Sequence, residues 1–252
     1  MVLIVMSAPA AARPAAAGFG LRFMSDAGGR LEERKISLAA ARGTRFERVP
    51  PVHAPPPGQR GLAGQWWSSK MRDLVGYGTW LERDRVMMLD FSPRVTAFSR
   101  RPFCLTWRDG GSRRQHAPSY FARLADGTAL VIDVSSGDGK SARAKGPTGA
   151  EEACRLAGWG YERARAVDAV LAANVRWLSG YRHPRCLNPA HAAALAATLA
   201  RPAPLMRAAE TAGDPLAVLP TLYHMLWSGL LRADLESAPL GESTVVTVGV
   251  DR

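Results

Sequence analysis

Apolar and polar residues alternate through GFGLRFMSDAGGRLEERKIS (residues 18–37) on both sides of Ala27-Gly28-Gly29, a pattern that predicts a small β-hairpin. The stretch VPPVHAPPPGQRGLAG (49–64) holds too much proline and glycine for regular structure and reads as a linker. From Val75 to Leu89 the apolar residues, Trp80, Leu81, Met87 and Met88 among them, recur at helical spacing. Glu82, Arg83, Asp84 and Arg85 fall mostly off that stripe, so an amphipathic helix is expected. Two short strands, RVTAFS and FCLTW, precede a hairpin in HAPSYFARLADGTALVIDV. Ala150–Leu156 reads as a helix, YERARAV as a strand and DAVLAANVRWLSG as a second helix, capped by Asp168 and stopped by Gly180. Helices interleaved with strands make an α/β core, a mixed sheet flanked by helices.

The last quarter differs. Asn188-Pro189 and Asp214-Pro215 each open an apolar helix by the same device, a capping side chain followed by proline at the first helical position. A terminal strand, STVVTVGV, follows. Helices and then a strand fit a small winged-helix-like module or a plain helical cap. The expected organisation is an N-terminal arm with a small hairpin and Pro-rich linker (1–60), a core (61–186) and a helical C-terminal module (187–252).

Charge narrows the choice of partner. The 252 residues carry a formal charge of +11, unevenly spread. Residues 1–60 hold 9 basic and 4 acidic side chains, 61–190 hold 20 and 12, and 191–252 hold 4 and 6. In the densest run, Arg94, Arg100, Arg101, Arg108, Arg113, Arg114 and Arg123 stand against Asp109 alone. Such a concentration suits a polyanion, with nucleic acid first and an anionic membrane surface second; a solvated arginine face is the plain alternative. No segment reaches the ~20 apolar residues of a membrane span, and the opening apolar run is too short for a secretory signal. Cys104, Cys154 and Cys186 form neither a disulfide framework nor a zinc pair. A cytoplasmic, reducing location is expected, with the first twenty or so residues disordered or the start misassigned ahead of Met24.

Several familiar motifs fail on inspection. VIDVSSGDGKS ends in Gly-Lys-Ser, but Val134 stands where a phosphate-binding loop needs glycine, five residues ahead of Gly139. His183 and Cys186 are a lone pair without zinc spacing, and no Gly-x-Ser-x-Gly elbow supports Ser-His-Asp hydrolysis. The hairpin says more. With Ala125-Asp126-Gly127 as a three-residue loop, Leu124 pairs with Thr128, so Ser119 falls opposite Asp133 and Ala117 opposite Ser135. Opposed residues share a face, and Asp133 and Ser135 point the same way, so positions 119, 133 and 135 converge. A metal-dependent nuclease needs this convergence, with two acids to hold Mg²⁺ and a cation beside them to orient the attacking water.

Taken together, WW (66–67), GYGTWLERDRVMMLDFSP (76–93), RPFCLTW (101–107), HAPSYFARLADGTALVIDV (116–134) and VLAANVRWLSGYRHPRC (170–186) resemble the TnsA-like endonuclease subunits of heteromeric transposases. These have a restriction-endonuclease-like core with the PD-(D/E)xK pattern. The resemblance is collinear and covers about half the chain. It implies strand cleavage at transposon ends beside a separate DDE-type transposase, with DNA as substrate and, if metal binding is retained, Mg²⁺ as cofactor; the lack of a spanning segment adds the expectation of no membrane partner. It implies Glu82 and Asp133 as catalytic, metal-holding acids. Where the family has a second acid and a cation, this chain has Ser119 and Ser135. A hydroxyl is a poor substitute for a carboxylate on a hard divalent cation. The expectation is therefore a DNA- and partner-binding subunit with a degenerate catalytic site. A second reading keeps an active Mg²⁺ nuclease in which Lys140 replaces the cation and Asp138 or a water replaces Ser119. A third is a protein-interaction remnant.

Overall fold

The computed structural model describes residues 18–27, 30–51, 63–134 and 149–249. β1 (Gly20–Ala27) and β2 (Arg30–Ser37) form the expected antiparallel hairpin, and Ser37 caps a single helical turn, α1 (Leu38–Ala41). β3 (Gly64–Ser68) and β4 (Asp73–Tyr77) make a second hairpin, followed by helix α2 (Trp80–Phe91). The helix expected from Val75 thus begins five residues later. Gly76 and Gly78 interrupt helix formation, Val75 pairs with Trp66, and the Thr79 hydroxyl caps α2 by accepting from Glu82 N at 3.1 Å.

β5 (Val95–Arg100), β6 (Phe103–Asp109), β7 (Ser112–His116), β8 (Tyr120–Leu124) and β9 (Ala129–Val134) follow, then α3 (Gly149–Ala157), β10 (Gly160–Ala164) and α4 (Ala169–Ser179). They build two four-stranded sheets. The central one has the order β10-β9-β8-β5 and is mixed, since β9 and β10 run parallel across the α3 crossover. The other has the order β2-β1-β6-β7. Through it the N-terminal hairpin joins the core: Gly20 to Phe23 pair with Thr106 to Phe103. Those four residues precede Met24. The stretch 52–62, most of the expected linker, lies outside the described residues.

Alternation on the central sheet divides its side chains between two cores. Tyr120, Ala122 and Ile132 pack with α2 and α4 on one face; Phe121, Ala129 and Val131 pack on the other with α1, α3 and the inner face of the second sheet. Phe46 lies fully buried in this second core, its ring centroid 4.8–5.7 Å from those of Phe23, Phe103, Phe121 and Trp159.

The C-terminal elements are α5 (Pro189–Thr198), β11 (Ala203–Pro204), α6 (Leu205–Ala212), α7 (Pro215–Ser228), β12 (Leu231–Ala233) and β13 (Val245–Val248), with the small sheet ordered β11-β13-β12. Asn188 and Asp214 cap α5 and α7 as their sequence predicts. α6 was not expected; it is eight residues long, and its N-cap is Pro204, which offers no side-chain cap bond. Buried Asn174 of α4 ties the module down. Its amide donates to the Leu235 and Ala238 carbonyls at 2.9 and 2.8 Å, and its oxygen accepts from Leu240 N at 2.7 Å. Among the described residues no helix is long and apolar enough to cross a membrane.

Candidate functional site at two carboxylates

The β8–β9 hairpin has the register its sequence predicts. Leu124 N donates to Thr128 O at 2.9 Å, Gly127 takes a left-handed φ of +82°, and Tyr120 pairs with Ile132. One step further, Ser119 stands opposite Asp133, and its hydroxyl accepts from Val134 N at 3.0 Å.

Asp133 does not stand open. His116 Nε2 lies 2.7 and 2.9 Å from its two oxygens, and an ionised carboxylate only accepts, so Nε2 carries the proton of that bond. The Tyr161 hydroxyl donates to the same group at 2.5 Å. Tyr161 arrives by the parallel pairing of β10, where it is opposite Val131 and so shares the face of Asp133. Burial works to raise the Asp133 pKa, but the His116 and Tyr161 bonds, with the Ser119 N–H, together hold it below its ordinary value. The same neighbourhood pushes the Tyr161 phenol up, through burial first and the Asp133 bond second. Burial, with help from Asp133 and Glu151, raises the Cys154 thiol to about 12, which leaves it a packing group.

Glu82 occupies a different pocket. It is the third residue of α2, and its side chain turns back over the helix start, where Oε2 accepts from Gly78 N at 2.5 Å and Arg100 at 3.0 Å. Arg101 lies 4.0 Å from Oε1. The side chains of Glu82, Arg100 and Arg101 are 7%, 11% and 19% exposed, so this is a buried cluster and not a solvated helix face. Gly78 leaves room for the pair: a Cβ there would come within 2.7 Å of an Arg100 terminal nitrogen, which would have to shift. Arg101 takes a left-handed φ of +46°, and its N–H donates to Ser119 O at 3.1 Å. Tyr120 closes the pocket, its hydroxyl donating to Gly76 O at 3.1 Å.

The two acids lie on opposite sides of the central sheet. α2, which carries Glu82, covers the face of Tyr120 and Ile132, whereas Asp133 follows Val131 onto the other. Among the described residues no group of three or more His, Cys, Asp or Glu side chains could hold a metal ion. The donor chemistry also does not suit Mg²⁺, which takes oxygen ligands: the oxygens of Glu82 are held by guanidinium and amide groups and those of Asp133 by imidazole and phenol. Ser135, Asp138 and Lys140 lie outside the described residues.

The seven arginines of the basic run scatter. Arg100 and Arg101 serve Glu82. Arg123 lies over the Phe121 ring and 3.7 Å from buried Glu47, and Arg114 lies 3.6 Å from Asp109. Arg94, Arg108 and Arg113 are exposed and make no ion pair among the described residues. His116 and Tyr161 escaped sequence reasoning. His116 sits three residues ahead of Ser119 and carried a weak signal, but Tyr161 could be found only from the β9–β10 register.

The chain matches no protein-family model and no curated protein.

Proposed function

We propose that this chain is a TnsA-like subunit of a heteromeric transposase that binds DNA and a partner, with strand cleavage impaired or lost. One observation carries the reading of lost cleavage. The two acids expected to hold Mg²⁺ are both present, Glu82 buried and Asp133 half-buried, yet each is engaged by protein donors, and they lie on opposite sides of one sheet. Guanidinium groups beside Glu82 occupy the ground a cation would take. A metal would have to displace ion pairs already desolvated, at a cost of several kcal/mol.

The mixed central sheet with α2 on one face and α3 on the other supports a restriction-endonuclease-like core. The C-terminal order of helix, strand, helix, helix and two strands, with the last strand in the middle of its sheet, supports a winged-helix-like module. α7, the second helix of the adjacent pair, has the sequence PLAVLPTLYHMLWS and no cation, so it is unsuited to phosphate contact. Half-exposed Trp177 clusters with Tyr181 and Tyr223 beside it, which favours a protein partner for this end.

The test is nicking of supercoiled DNA in Mg²⁺ and in Mn²⁺, with the transposase partner present, by wild type, Ser119→Asp, Ser135→Lys and the double variant. No robust cleavage by wild type is expected, and any recovery should be confined to the double variant. Efficient wild-type nicking that disappears in Asp133→Ala would overturn the reading in favour of an active nuclease.

A further inference from the structure

Among the described residues, helices pack on one side of the sheet β2-β1-β6-β7. Leu21, Phe23, Phe103 and Leu105 turn inward to the second core, and the helices packed on this sheet, α1 and α3, lie on that side. By alternation the outer face carries Arg22, Glu33, Lys35, Thr106, Arg108, Arg113 and Gln115, with Cys104 buried beside its cross-strand partner Arg22. Arg22 lies flat across it, reaching Glu33 at 3.5 Å and Gln115 at 3.2 Å. Lys35 is 69% exposed and 3.9 Å from Glu33, the acid placed on this face among the residues whose side chains are described.

Beyond Thr106 the face narrows to a ribbon. β1 pairs with β6 from Phe103 to Thr106, so Trp107 to Arg114 extend as two strands, closed by Gly110 and Gly111 at φ +53° and +87°. On its outer side Arg108 is the direct cross-strand partner of Arg113. Like charges directly opposite each other destabilise a strand pair, and neither arginine has an acidic partner among the described residues. An unrelieved pair of cations on a projecting two-stranded ribbon is complementary to closely spaced anions. The B-DNA major groove, about 12 Å wide, admits such a ribbon.

We propose that the outer side of the β6–β7 ribbon is a phosphate-contacting surface for duplex DNA, with Arg108 and Arg113 as the principal contacts and Lys35 as an outlying one. This deepens, and rests on, the DNA-binding reading above. It also removes Arg100, Arg101 and Arg123 from the interface, since their guanidinium groups are engaged inside the fold.

The test is a salt series of binding to a random-sequence duplex, followed by fluorescence anisotropy with the full chain. Arg108→Ala/Arg113→Ala should weaken binding on the order of 10- to 100-fold at about 0.1 M salt and lower the salt slope by about 1.8, two contacts at about 0.9 each. Arg108→Lys/Arg113→Lys should restore most of both. Arg201→Ala/Arg207→Ala, which removes the same charge from exposed positions of the C-terminal module, should change little. Wild-type binding that survives the ribbon variant, or that is lost in the Arg201/Arg207 variant instead, would overturn the ribbon while leaving DNA binding in place. Absence of wild-type duplex binding, including binding to anionic vesicles in its place, would overturn both.

Discussion

Glu82 and Asp133 lie on opposite sides of one sheet and have opposite kinds of neighbour. Glu82 is neutralised by permanently charged guanidinium groups in a pocket closed by Tyr120 and bordered by Gly78. Asp133 is held by an imidazole and a phenol near the surface, its side chain 18% exposed and that of His116 34% exposed. The first pocket is a structural ion cluster that cannot lose a member cheaply. The second is a hydrogen-bonded site whose partners are titratable or neutral. The lesson is that identity at an expected catalytic position says little until the neighbouring donors are known.

The largest effect that would break or sharpen this contrast is Glu82→Ala, which leaves Arg100 and Arg101 without their acid. Removing one partner of a buried pair costs about 3–5 kcal/mol, so a marked fall in Tm or in the urea midpoint is expected. A loss no greater than that of Asp133→Asn would end the distinction between the two pockets.

Asp133→Asn should cost less, about 1–3 kcal/mol, since the amide oxygen still accepts one bond while its NH₂ faces donors. Its signature is in pH. Folding holds the Asp133 pKa below the ordinary value, so the native state favours the ionised form. That stabilisation is complete above the unfolded carboxylate pKa of about 3.9 and is lost as pH falls below it, through the lower folded value. Thermal unfolding across this acid range should have a shallower pH dependence in Asp133→Asn than in wild type; identical slopes would show that the site is not held as described. Smallest is Ser119→Ala, which strips Val134 N of its hydroxyl acceptor and should cost about 1 kcal/mol, read as a small shift in the urea midpoint.

Legibility followed the range of the interactions. The β8–β9 register, the caps at Asp168, Asn188 and Asp214, and the N-terminal hairpin were all readable, because each depends on residues close in the chain whose backbone needs are met locally. The helix start at Trp80 was misjudged because apolar spacing in VGYGTWL is ambiguous until Val75 is seen to pair with Trp66. α6 escaped because a short helix between prolines and glycine owes its stability to burial of Leu205, Ala208 and Ala209.

By itself the sequence determined that an acid stands at 82 and at 133 and serines at 119 and 135, that Ser119 faces Asp133, and that positive charge gathers in the first three quarters of the chain. Tertiary structure alone decided what those groups meet. The crossover through α3 brings Tyr161 to Asp133, and the end of β5 and the turn after it bring Arg100 and Arg101 to Glu82. The β1–β6 pairing leaves Arg108 and Arg113 on an open ribbon. The reason is physical: local backbone preferences act within a few residues, whereas the state of a buried charge depends on every donor within a few ångströms, whatever its distance along the chain.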